Sequence, residues 1–242
     1  MTETSYYVGR LGNQIIRNLA VSLIAEKHNL YVKYSSYDLI NSLGIELFVG
    51  EKSHGFKLTL SDEGYFNIYN NDNISYNLDP NTAYFQTKEI TNFLYTHLHK
   101  DKVKNKIINA NPFKERYNKN NDLCVHIRLT DVAHKNPGVD YYINTLAGIS
   151  FENLYIATDD KSHPIIHKIL EIYPFSKMVD YNEIQTIQFA STCKNILLSH
   201  GTFSAIIGYL SYFSTVNYPE YKGDDMWCGD IFSIPGWIKR DF

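Results

Sequence analysis

One stretch constrains the fold more than any other. The run LCVHIRLTD (residues 123–131) is apolar and β-prone at its start and then passes directly into His126, Arg128 and Asp131. Such a run reads as a buried strand whose polar residues emerge where a parallel sheet meets its loops. Open α/β folds bind ligands at those carboxyl ends. A guanidinium fixed there is always charged and offers paired donors, which suits a phosphate. The same residues also suit a plain Arg–Asp ion pair that holds a loop.

The flanking sequence repeats the alternation. Residues 123–127, 153–157 and 195–198 read as strands. Between and after them, residues 141–147, 165–173 (opened by Pro164), 183–192 and 203–212 read as helices. Strands alternating with helices imply a parallel sheet. The amino-terminal part begins in the same way. Residues 5–8 read as a strand, GRLGNQ (residues 9–14) as a turn opening a helix, and Leu30 to Tyr34 as a second strand. Residues 56–60, 65–69 and 84–86 read as short strands, and 89–109 has helical composition. The polar, proline-containing stretch 111–122 reads as a linker. The expected architecture is two α/β halves facing a cleft, with domains 1–115 and 116–242 and a carboxyl-terminal tail packing back on the first. Aromatic residues Tyr218, Tyr221, Trp227 and Trp237 would anchor that tail.

Bulk properties narrow the function. A net charge of -3 supplies no global cationic field for nucleic acid or an anionic membrane. The three cysteines, Cys124, Cys193 and Cys228, are far apart and lack metal-site spacing, which fits a reducing compartment. The amino terminus does not read as a signal peptide, and no run is long enough to span a bilayer. A soluble, cytoplasmic protein is expected.

Four segments carry candidate chemistry. In GRLGNQ, Gly9, Arg10, Gly12 and Asn13 form a glycine turn at a helix start, where backbone N–H groups can meet an anion. It lacks the third glycine of a dinucleotide fingerprint and the lysine of a P-loop. His126, Arg128 and Asp131 form the second segment. In YIATDD (residues 155–160), Asp159 and Asp160 end a strand; a carboxylate there accepts from a guanine edge or caps the next helix. In LLSHGTFS (residues 197–204), Ser199, Thr202, Phe203 and Ser204 sit at a strand–helix junction that makes an anion cradle, unless Thr202 merely caps the helix. His163 and His167 lack the glutamate of a zinc protease motif, and Ser199–His200 lacks the context of a hydrolase serine.

In this order the motifs resemble those of the GDP-fucose fucosyltransferase superfamily of GT-B glycosyltransferases, which includes α-1,2-, α-1,6- and protein O-fucosyltransferases. GRLGNQ resembles the opening G-x-[LF]-G-N-Q, and HIRLTD (residues 126–131) resembles H-x-R-R-x-D. ATDD (residues 157–160) resembles the α-1,6 segment, and Ser199 with TFS (residues 202–204) and Tyr209-Leu210 resembles the carboxyl-terminal block. The resemblance spans residues 9 to about 210. It implies a GT-B-like fold of two Rossmann-like domains and a metal-independent, inverting transfer of a sugar, first choice L-fucose from GDP-fucose, to a glycan or other hydroxyl acceptor. No cofactor is implied; the nucleotide sugar is a substrate. Arg128 would bind the donor β-phosphate and stabilise departing GDP, and Asn13 would touch the sugar or β-phosphate. His126 and one of Asp159 or Asp160 would meet the nucleoside, and Thr202, Phe203 and Ser204 the diphosphate. Two positions depart from the pattern. The motif's second arginine is Leu129, and Asn136 stands where α-1,6 enzymes carry the proposed base, which leaves Asp131 as the candidate base and Asp38 as an outsider. Three alternatives remain: a GT-B enzyme using another nucleotide sugar, a metal-dependent transferase built on Asp159–Asp160 or Asp224–Asp225, and a binding module without catalysis.

Overall fold

The computed structural model describes residues 1–4, 9–131, 133–220 and 229–241. Chain contacts divide it into two units. The first comprises residues 1–107 and 228–231, the second 108–227 and 232–242. The division falls at Ile107/Ile108, ahead of the expected boundary at 115/116.

In the first unit, β1 (Thr2–Glu3) pairs in parallel with β2 (Val32–Lys33), and the long helix α1 (Leu11–His28) connects them. The expected strand at 5–8 lies outside the described residues. Helix α1 ends where Asn29 turns left-handed (φ 54°) and returns its N–H to the Ala25 carbonyl. Lys27 in its last turn complements the helix dipole. Then come α2 (Tyr37–Ser42), β3 (Lys57–Thr59), α3 (Tyr65–Asn70), β4 (Asn77–Asp79), α4 (Lys88–Leu98) and α5 (Asp101–Ala110), with β3 and β4 forming a second parallel pair. Among the described residues this unit therefore holds two separate two-stranded ladders, not the Rossmann-like sheet expected of it.

Two strand expectations fail here for tertiary reasons. Residues 65–69 are helical because Tyr65 is fully buried. Its hydroxyl donates to the Ala20 carbonyl (3.0 Å), and its ring stacks on Tyr69 one turn later and packs against Phe85. Residues 84–86 form no strand. Buried Arg17 on α1 donates Nε to the Ala83 carbonyl (2.9 Å) and Nη2 to the Pro80 carbonyl (2.8 Å), and Phe85 adopts a positive φ of 55°. The guanidinium thus fixes the backbone leading into these residues.

The second unit matches its pattern closely. Its strands are β5 (Leu123–Ile127), β6 (Leu154–Thr158), β7 (Lys177–Met178), β8 (Asn195–Leu197), β9 (Thr215–Pro219) and β10 (Ile238–Arg240). Its helices are α6 (Val139–Ala147), α7 (Pro164–Ile172), α8 (Glu183–Ala190) and α9 (Thr202–Tyr209). Among the described residues its six strands are all parallel, in the order β10-β9-β8-β5-β6-β7. Counted from β5, this is the doubly wound order of a Rossmann-like sheet, with its switch point between β5 and β8.

Strand β5 is buried along its whole length because both faces are covered. Leu123, Val125 and Ile127 pack with Tyr141 and Leu146 of α6 and Ile166 and Ile169 of α7. On the other face, His126 meets Ser204 of α9, and Tyr155 of β6 meets Phe189 of α8 with ring centroids 4.9 Å apart. Helix α8 is capped by Asn182, which accepts from the Gln185 N–H (2.8 Å).

The stretch read as a linker belongs to this unit. Asn111 is buried and donates to the Tyr117 hydroxyl and the Gln188 carbonyl, and Arg116 pairs with buried Asp122 at 2.7 Å. Asn111, Arg116 and Asp122 thus serve the fold, while Lys114, Glu115, Asn118 and Lys119 face solvent. Trp237 lies over Gly208 and beside Tyr209 (5.7 Å) and Tyr218 (6.2 Å), so this aromatic anchors within its own unit. Tyr221 and Trp227 lie outside the described residues.

Candidate functional site at the carboxyl end of the sheet

The site candidates in the second unit converge on the switch point. Strand β5 ends at Ile127 and delivers Arg128. Strand β8 ends at Leu197 and leads through Ser199, His200 and Gly201 into α9. The two loops are stitched together: the Arg128 N–H donates to Ser199 Oγ (3.2 Å), and the Arg128 guanidinium reaches over Gly201. Gly201 has φ 91° and occupies the N-cap of α9. A Cβ built there would stand 3.0 Å from Arg128 Nη1. Two requirements therefore select glycine: the left-handed backbone and room for the arginine. Thr202 is not the cap; it is the first residue of the helix, and no side chain caps the turn.

Asp131 holds the other edge of the guanidinium. Its Oδ1 accepts from Nε (3.2 Å) and Nη2 (3.0 Å), and its Oδ2 accepts from Nη2 (2.9 Å). Arg128 is 14% exposed in its side chain and Asp131 43%. The arginine is thus aimed and mostly desolvated, while its partner faces water. Asn136 completes the loop by donating to the Arg128 carbonyl (3.1 Å) and to the Tyr142 hydroxyl (2.8 Å).

Asp159, at the end of β6, braces the same loop. Its Oδ1 accepts from the Leu129 N–H (2.7 Å) and its Oδ2 from the Thr130 hydroxyl (2.6 Å). Asp160 does not join the cluster. Its Oδ1 accepts from the Ser162 N–H and hydroxyl, and these bonds lower its pKa. It shapes the turn before α7, whose cap is His163. The two adjacent carboxylates therefore serve different loops. Asp224 and Asp225 lie outside the described residues. Among the described residues, no three His, Cys, Asp or Glu side chains cluster as a metal site.

Beneath Arg128 lies a buried polar network. His126 Nδ1 bonds to Ser204 Oγ (2.5 Å) and lies 3.5 Å from Ser199 Oγ, while the two hydroxyls are 3.2 Å apart. Phe203 lies beside the imidazole with ring centroids 5.0 Å apart. Burial pushes the His126 pKa down to about 3, with Asp159 opposing and Arg128 and His200 reinforcing. His200, also buried, is pushed down to about 4 by burial and then by Arg128. Both rings are neutral at pH 7. Sequence reasoning undervalued His200 and Gly201; what signals their place is their position between Ser199 and the start of α9.

Leu129, the departure from the resembled motif, is 2% exposed and packs in the core beside Tyr141 and Tyr142. A second arginine at this position would have to be buried among apolar side chains, so leucine suits the local packing.

The remaining candidates lie in the first unit. Gly9 has φ 76°, and a Cβ there would fall 1.8 Å from Asn13 Nδ2. Asn13 Oδ1 accepts from Gln86 Nε2 (2.9 Å), and Gln14 donates to the Gly9 carbonyl (3.2 Å). Arg10 is exposed at the N-cap of α1, and Gly12 is buried in the first turn. Asn13 therefore holds the glycine turn to the loop carrying Gln86.

Gly201→Ala tests the junction directly. A side chain on this positive-φ, extended backbone costs about 1–3 kcal/mol and forces the guanidinium aside. The expected result is a lower melting temperature together with a loss of anion affinity larger than the stability change explains. Unchanged affinity would show that Arg128 does not work against this turn.

Order and placement thus define an open, doubly wound α/β unit with a positive side chain at the carboxyl end of its sheet. Neither a scan of protein-family models nor a search among curated proteins finds a match for this chain. No helix among the described residues is long and apolar enough to cross a membrane.

Proposed function

We propose that the protein is a glycosyltransferase that takes a sugar from a nucleotide donor, first choice L-fucose from GDP-fucose, and delivers it to a hydroxyl acceptor, first choice a glycan. The observation that carries the reading is Arg128 at the carboxyl end of β5, lying against Gly201 where α9 begins. A leaving nucleoside diphosphate gains negative charge as the glycosidic bond breaks, and preorganised donors aimed at that charge lower the barrier. Arg128 and the first N–H groups of α9 supply such donors on one side of the sheet. In this scheme Asp131 keeps the guanidinium aimed and yields part of it when the diphosphate arrives. With both its oxygens on Arg128, Asp131 suits that positioning role better than the role of base. Asp159 braces the loop, and neutral His126 fixes Ser204 and Ser199 beneath it.

A melting-temperature screen against GDP, UDP, dTDP and their sugars tests the donor. At a hundred times its dissociation constant the correct nucleotide adds about 2.7 kcal/mol, a rise of roughly 5–10 °C for a chain of this size. If no nucleotide raises the midpoint, the reading fails. Binding without transfer or donor hydrolysis would select the non-catalytic module instead, and activity lost in EDTA would select a metal-dependent transferase.

A further inference from the structure

A hollow of about 410 Å³ is lined wholly by residues of the first unit, none of them among the site candidates named above. Its volume falls in the range of roughly 300–1,000 Å³ typical of small-molecule sites. The floor is α1, which contributes Ser22, Leu23 and Glu26; α4 contributes His97 and α5 contributes Lys102, Val103 and Lys106. The remaining wall is residues 44–49, with Tyr37 and Asn41 of α2 at its edge.

That wall is held in place by specific bonds. Ser22 Oγ accepts from the Phe48 N–H (2.8 Å), and the Tyr34 hydroxyl donates to the Phe48 carbonyl (2.6 Å). Glu46 pairs with Lys106 across the opening. The hollow is therefore formed without a ligand, which keeps the ordering cost of binding low.

Its chemistry is two-sided. Tyr37 and Val49 are 40% and 46% exposed, large apolar surface left in water at the rim. Tyr37 is backed by Tyr34, with ring centroids 6.2 Å apart. The polar groups are balanced in sign: carboxylates Glu26 and Glu46 face ammoniums Lys102 and Lys106, and Asn41 offers both a donor and an acceptor. Burial and then Lys100 lower the His97 pKa against Glu26, so its ring is neutral and also presents one donor and one acceptor. An anion would meet the two carboxylates and a cation the two ammoniums. A purely apolar molecule would leave these polar groups desolvated without partners. The complement of this lining is an uncharged ring with a C–H face for Tyr37 and Val49 and a rim of hydroxyls that both donate and accept.

We propose that this hollow binds a neutral pyranose unit of a carbohydrate, with the ring lying on Tyr37 and its hydroxyls bonded to Asn41, Glu26 and Lys102. A second, smaller hollow of about 160 Å³ shares Leu23, Glu26 and His97 and is walled by Tyr69 and Phe93. The two adjoin at His97, and in this proposal the second hollow takes a neighbouring sugar of the same chain. This inference stands independently of the donor reading, because it concerns residues of the first unit alone.

The test is saturation-transfer NMR on the intact chain with neutral methyl glycosides of glucose, galactose, mannose, fucose and N-acetylglucosamine, and with their disaccharides. The expected result is transfer to ring C–H protons of at least one glycoside, stronger for its disaccharide. It should be lost in Tyr37→Ala and reduced several-fold in Asn41→Ala, both with wild-type melting temperatures. Because Tyr37 is exposed, its removal leaves the core intact; if Tyr37→Ala does unfold, Asn41→Ala alone decides. No transfer from any glycoside, or transfer that persists in both variants, overturns the proposal. A nucleotide-induced rise in melting temperature, read on the same sample, separates the two ideas. A rise without sugar binding defeats this site alone, and sugar binding without a rise defeats the donor reading alone.

Discussion

Arg128→Ala is expected to weaken nucleoside diphosphate binding by about 10–100-fold, the equivalent of one charge-assisted interaction at roughly 1.5–3 kcal/mol. It should also cut sugar transfer or donor hydrolysis by at least about two orders of magnitude. The rate should fall further than the affinity, because charge on the departing group is greatest in the transition state. Stability should change little. The ion pair lost with Asp131 is partly exposed, and such pairs contribute about 0–1 kcal/mol. Arg128→Lys separates charge from shape. A lysine keeps the positive charge but not the fork that spans Asp131 and the Gly201 turn, so it should recover part of the affinity and less of the rate. Calorimetric titration and a donor-hydrolysis assay give both readings. Wild-type affinity and turnover in the alanine variant would remove Arg128 from the proposed role.

The protein is expected to lose stability steeply in mild acid. His126 and His200 are held neutral in the fold, with pKa values near 3 and 4, whereas an unfolded chain protonates histidine near 6.5. The unfolded state therefore binds more protons below pH 6.5, and folding stability must fall as pH falls. The loss continues until the folded-state values are reached. Each histidine contributes about 1.4 kcal/mol per pH unit in that window, so the pair gives roughly 2.7 kcal/mol per unit between pH 6 and 4. His28 and His97, whose pKa values burial also lowers, act in the same sense. Against a total stability of about 5–15 kcal/mol, the roughly 4 kcal/mol lost between pH 6.5 and 5 is expected to lower the urea midpoint markedly. Urea titrations at pH 7, 6 and 5 check it, and His126→Gln should flatten the slope. A midpoint unchanged from pH 7 to 5 would mean that these rings reach water or gain a proton within the fold.

The second unit was legible because local pattern and tertiary need coincide there. The run from Leu123 to Ile127 is apolar at every second position and is bonded on both sides, to β6 and to β8. The short strands β7, β9 and β10 escaped notice because two to five residues carry too little periodicity. In the first unit, propensity and tertiary need part company. The aromatic run at 65–69 favours a strand by composition, yet it forms a helix whose tyrosine reaches α1. The backbone at 80–85 is set by Arg17, more than sixty residues upstream.

The site divides in the same way. Arg128, Ser199 and Ser204 announce themselves by following strands or opening a helix, and they do meet. Asp160 looked equivalent to Asp159, but one residue of displacement sends its carboxylate into a different turn. The hollow beside Tyr37 left no trace in sequence, since four helices and a loop build it from distant positions.

One consequence follows from Trp237. A Cβ on Gly208 would stand 2.3 Å from the Trp237 ring, so the indole fills the notch that the glycine leaves in α9. That helix cannot slide along its axis or roll without evicting the wedge. Whatever the Gly201 end grips meets α9 as a stationary post.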